Sequence, residues 1–272
     1  MATTYLTSTT DLAAANWDDA TGHAEAADLV VNIPGLNVQT GLDQSAVTNG
    51  IDSFDIQPPA AGKIGGAGAS YTVEANTGVA RVTNHGRVEF YFASDGTTTN
   101  FDCGSSSTNY ITGGTVTNVT VQGGAVCNVK AAAVVTNFYA NGGSGVIEDN
   151  ATALTLAVIN SGTWVIKREV TALIVGPRAD VTIDTDASVV TAATLNGGIM
   201  RTKTGNVPTL TLNAGTVDKS RASKALTIGG TAFSNRTSKS VKGTDLVTVS
   251  NETFPGGLRI LEPTSEGVPP GQ

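Results

Sequence analysis

Apolar positions in this chain come in short runs rather than long stripes. Between residues 113 and 235 the runs are "VTNVTV" from Val116, "VVTNFYA" from Val134, "LTLAVI" from Leu154, "EVTALIV" from Glu169, "SVVTAATL" from Ser188, "TLTL" from Thr209 and "ALTI" from Ala225. Alternation within a run is the mark of a strand, because successive side chains of extended backbone point to opposite faces. In "VTNVTV" it puts Val119 and Val121 on one face and Thr120 on the other. No run carries the three-to-four-residue spacing of an amphipathic helix.

Small turn triplets separate the runs: Gln122-Gly-Gly, Asn141-Gly-Gly, Asn160-Ser-Gly, Val175-Gly-Pro, Asn196-Gly-Gly, Asn213-Ala-Gly and Ile228-Gly-Gly. Their first residues are 15 to 21 positions apart, about 18 on average. A degenerate period of this size predicts units that bury their apolar faces on one another. The expected fold is all-β, a right-handed parallel β-helix with coils of about 18 residues. A β-sandwich is the alternative, since regularly spaced short strands would look similar.

Three segments follow. Residues 1–66 read as an N-terminal β and loop segment with a possible attachment role, broken by Pro34-Gly35 and Pro58-Pro59. Residues 67–235 read as the β-helix, and "GVARVTNHGRVEFYFASDG" within them as two strands across an Asn84-His85-Gly86 turn. Residues 236–272 change character, with Arg236, Lys239 and Lys242 ahead of two short strands and a Pro/Gly-rich arm from Pro263.

Composition supports strands and narrows function. Charged residues are only 14% and aromatics 5%, whereas Gly contributes 32 of 272 residues. A net charge of -7 without a basic cluster argues against nucleic acid as a partner. No apolar stretch reaches the roughly 18 residues of a membrane-spanning helix, and the N-terminal residues lack the pattern of a secretory signal. Cys103 and Cys127 are too few for a disulfide framework and read as buried free thiols, with a bridge left open.

The segment "LVVNIPGLNVQTGLDQSAVTNGIDSFDIQPPAAGKIGG" from Leu29 to Gly66, followed by the Thr/Val/Gly repeats, resembles structural proteins of tailed-bacteriophage virions that carry a β-helix. The opening "ATTYLTSTTDLAAANWDDATGHAEAAD" is similar in style. The likeness is one of pattern over residues 11 to 230, and no single motif in it is diagnostic. It implies a homotrimer that contacts the major capsid protein or other virion proteins and assembles in the host cytoplasm. The expected role is non-enzymatic capsid decoration. The alternative is a tail fibre or spike that binds, and cleaves, host surface glycan. A secreted adhesin is a third reading, weakened by the expected lack of a signal.

Residues with catalytic chemistry are sparse. In "VTIDTDAS" a strand would turn Val181 and Ile183 inward and set Asp184 and Asp186 roughly 6.5 to 7 Å apart on the outer face, a spacing usable for inverting glycoside hydrolysis or for a cation. Two solvated acids guarding a coil edge explain them as well. "WDD" at Trp17 to Asp19 and "DSFD" at Asp52 to Asp55 read as loop carboxylates or caps. His23 and His85 have no nucleophile motif, and His85 reads as a turn residue. "GKIGGAGAS" from Gly62 lacks phosphate-loop spacing. Sequons begin at Asn118, Asn150, Asn235 and Asn251, as chance allows in so Asn- and Thr-rich a chain. The only Trp of the repeat, Trp164, is the single candidate sugar platform of that type. The expectation is therefore no catalytic, cofactor-binding or metal site.

Overall fold

A computed structural model describes residues 2–12, 27–40, 51–73, 79–184, 190–220, 222–223, 225–237 and 247–253. The chain is all-β, without a helix among the described residues. Its 18 described strands run from Ala2–Tyr5 to Glu252–Thr253 and join in one sheet system. Every strand pair is parallel, the pairing a β-helix requires and hairpin-linked sandwich strands do not make. The expected β-helix is what the structure contains: a solenoid of about 8 turns with coils about 19 residues apart.

Register partners trace the coils. Arg81, Asn100, Asn118, Asn137, Leu156, Ala172, Ala192 and Thr209 lie side by side on eight successive rungs. Next to them, Leu29, Phe54, Val82, Phe101, Val119, Phe138, Ala157, Leu173, Ala193, Leu210 and Phe233 form one continuous column. All eleven are buried, so each rung completes the apolar contacts of the one before.

Gln122-Gly-Gly is a turn between the strands Thr108–Val121 and Val126–Val129, but the other six turn triplets are corners inside long strands rather than gaps between short ones. Ala133–Ile147 runs straight through Asn141-Gly-Gly, and its pairing register shifts on either side of Asn141. A corner needs backbone that an L side chain disfavours. At Gly162 φ is +95°, and a Cβ there would sit 2.1 Å from the Gly143 carbonyl oxygen of the preceding corner.

The first coils belong to the same ladder and are longer in sequence. Thr3, Asp28, Ser53 and Arg81 are register partners, so these coils take 25, 25 and 28 residues. Pairing continues across residue 66, since Ala61–Ile64 pairs with the strand Arg87–Cys103. Aromatic rings cluster in the core of these coils and of the 19-residue coil that follows them. Phe54 stacks on Tyr71 at 4.3 Å between centroids, and Phe92 tilts against Phe101 at 5.1 Å. Later coils use Val, Ala and Leu, with Trp164 edge-on to Phe138 at 4.9 Å.

Candidate functional site

Six ion pairs tie charged side chains on the described coils to their neighbours. Each described ion pair joins adjacent rungs: Lys63 to Glu89, Arg81 to Asp55, Lys130 to Glu148, Lys203 to Asp184, and Arg201 to both Asp180 and Asp218. Arg201 forks onto Asp180, with Nε to Oδ1 at 2.9 Å and Nη2 to Oδ2 at 2.8 Å, while Nη1 donates to Asp218. These hydrogen bonds, Asp180 first, push the Arg201 pKa above its ordinary value. Asp218 is held below the usual carboxylate range, chiefly by hydrogen bonds from the Ser220 hydroxyl and amide. Glu148 is lowered likewise by Lys130.

The candidate acids fall into this scheme. Val181 and Ile183 are fully buried, as the alternation required, and Asp184 is half-buried on the outside. Its carboxylate accepts from Lys203 Nζ at 2.8 Å and from Thr204 Oγ1 at 3.3 Å. Asp186, Trp17, Asp18, Asp19 and His23 lie outside the described residues. Asp55 is buried and accepts from Arg81 Nη2 at 2.7 Å, Thr83 Oγ1 at 2.8 Å and Ser53 Oγ at 3.3 Å. Asp52 is half-buried. His85 is exposed at the corner before Arg87–Cys103. Among the described residues, no three His, Cys, Asp or Glu side chains converge as metal ligands.

The Trp of the repeat does not make an open platform. Trp164 is fully buried, its indole Nε1 donating to the Ser161 carbonyl at 3.3 Å. Tyr91 and Tyr110 do face outward and stack on each other at 4.4 Å with planes 13° apart. Lys63 covers the free side of this pair at Tyr91, 5.0 Å from the ring, and Lys130 lies 5.8 Å from Tyr110. Tyr91 also donates to Glu89 at 2.7 Å. The rings present edges, not faces, to a ligand.

Polar ladders take up the sequon asparagines. Asn118 Nδ2 donates to Asn100 Oδ1 at 3.2 Å, and Asn137 Nδ2 donates to Asn118 Oδ1 at 3.0 Å. Asn150 Nδ2 donates to the Ala131 carbonyl, and Asn251 Nδ2 to those of Gly229 and Gly230. Asn235 Oδ1 accepts from the Thr237 amide at 3.0 Å. Cys103 and Cys127 are buried free thiols, hydrogen-bonded to each other, and burial pushes the Cys103 thiol well up.

Sequence reasoning missed Arg168. Its guanidinium is fully buried and donates to the carbonyls of Glu148, Ala133 and Lys130 at 2.7, 3.0 and 3.4 Å. Burial lowers its pKa to about 10, still charged at neutral pH. The available signal was a basic pair, Lys167-Arg168 in "WVIKREV", flanked by core runs on both sides.

One described surface carries no charge. The strand segments 117–121, 136–140, 155–159, 171–175, 191–195, 208–212 and 231–235 occupy successive rungs of one ladder and contain no Asp, Glu, Lys or Arg. No known family, curated protein or solved structure matches the chain.

Proposed function

We propose that this chain is a structural protein of a tailed-bacteriophage virion, a homotrimeric rod that decorates and reinforces the capsid surface and catalyses no reaction. The observation that carries the reading is the use of ionic side chains between rungs. Arg201, Lys203, Arg81 and Lys130 each neutralise a carboxylate on an adjacent coil. Such pairing ties coil to coil and leaves Asp55 and Asp184 engaged rather than poised over an open cleft. A ladder with one continuous core is stiff along its axis, which suits a part that holds a shape under load. The resemblance of residues 29–66 and the repeats to virion β-helix proteins supplies the setting.

The glycan-binding fibre is the weaker reading, because the outward rings of Tyr91 and Tyr110 are closed by each other and by two lysines. A glycan array and a reducing-sugar release assay on host polysaccharide separate the two. Decoration expects neither binding nor cleavage; saturable binding to one host glycan, or sugar release, would replace it with the fibre reading.

A further inference from the structure

The charge-free ladder face differs from the rest of the solenoid in both directions of the sheet. Along its centre, Tyr139, Leu156, Val158, Ala172, Ile174 and Ala192 point outward and are half-buried. Their strands are therefore apolar on both sides: Ala157 and Leu173 fill the core, while Val158 and Ile174 stand on the outside. Parallel sheets of this composition are normally covered on both faces. A polar border surrounds the apolar centre, with Asn118 and Thr120 on one side along the axis and Thr194, Thr209 and Thr211 on the other. An apolar centre with a polar, uncharged rim is the layout of a protein interface.

Charge selects the occupant. With a net charge of -7, two copies repel wherever their charged surfaces meet, and that repulsion is least across this face. Size agrees. Seven rungs at about 4.8 Å and five residues at about 3.3 Å span roughly 550 Å² per copy, so three such faces meeting along one axis bury on the order of 1,650 Å² in all, above the roughly 1,000 Å² expected of a specific contact. We infer that this face, centred on Val158 and Ile174, is where copies of the chain pack against one another. The inference rests on the self-assembling rod proposed above and assigns its contact surface.

Light scattering on the purified full chain at micromolar concentration tests it. The variants Val158→Lys and Ile174→Lys put charge at the centre of the face. Thr194→Lys puts charge on the polar border, at the register partner of Ile174, where folding is least at risk. Thr163→Lys, exposed beside Asp180 on another stretch of the coil, is the control. The expected result is an oligomer for the unmodified chain and for Thr163→Lys, and a particle of 27.5 kDa for the three face variants, with unchanged circular dichroism. An oligomer that survives all three charges overturns the assigned face and leaves self-assembly standing. A monomeric unmodified chain overturns self-assembly and the face together.

Discussion

Arg168 Nη1 donates to the carbonyl oxygen of Ala133 at 3.0 Å, from 35 residues further along the chain and two coils away. The same guanidinium reaches Glu148 and Lys130, so one buried cation satisfies carbonyls at a corner that water does not reach. Replacing it orphans the Glu148 carbonyl, whereas Lys130 keeps the Ala133 amide at 3.0 Å and Ala133 keeps Asn150 Nδ2 at 3.4 Å. Arg168→Met is expected to destabilise by about 1 to 3 kcal/mol, the cost of one buried unpaired carbonyl, since methionine restores part of the packing. Denaturant unfolding followed by circular dichroism measures it; a change below about 1 kcal/mol would mean the Glu148 carbonyl finds another partner.

The core column makes a second prediction. Leu173 stands between Ala157 and Ala193, so no large neighbour in its own column can close over a hole. Leu173→Ala is expected to cost about 2 to 5 kcal/mol. Thr171→Ala, exposed two residues earlier on the same strand, is expected to stay within about 0.5 kcal/mol. Equal effects at the two positions would contradict the inward and outward assignment.

Tyr71 offers the opposite sign. Its ring is stacked in the first, longer coils, but its buried hydroxyl has no partner among the described residues, and burial raises its pKa. Tyr71→Phe removes an unsatisfied polar atom and keeps the ring, so stability should hold or rise by about 1 kcal/mol. A clear loss in the same unfolding experiment would reveal a hydrogen bond to that hydroxyl.

Acid should loosen the rungs. Glu148 and Asp218 titrate below their ordinary values of 4.5 and 3.8 in the folded chain, the first through Lys130 and the second through Ser220. Folded values depressed in this way contribute stability that is complete above the unfolded values and lost as pH falls through the folded ones. The unfolding midpoint is expected to fall below about pH 4.5, and Glu148→Gln with Asp218→Asn to make that fall shallower. An unchanged slope in the double variant would remove these pairs from the acid response.

The repeated unit was legible because it obeys two local rules at once. In Leu154 to Asn160 and in Val190 to Asn196, alternation sets the inward residues and a terminal Asn marks the corner. The first, longer coils were less legible, since Phe54 and Tyr71 pack their core without turn triplets at a fixed distance. Corners hidden inside strands were also missed, because a bend at Asn141 keeps its neighbours paired while it shifts their register. Rung-to-rung ion pairs leave a trace that spacing can find: Arg201 lies 21 residues after Asp180 and 17 before Asp218, one coil either way. The charge-free face emerges only after the register aligns segments about 19 residues apart.

Cryo-electron microscopy of the parent particle tests the central claim most directly. The account predicts rods with strand layers about 4.8 Å apart standing on the head surface, three chains to a rod, with the segment around Val158 turned toward its neighbours. Density for this chain on the tail alone, or no density on the particle, would contradict it.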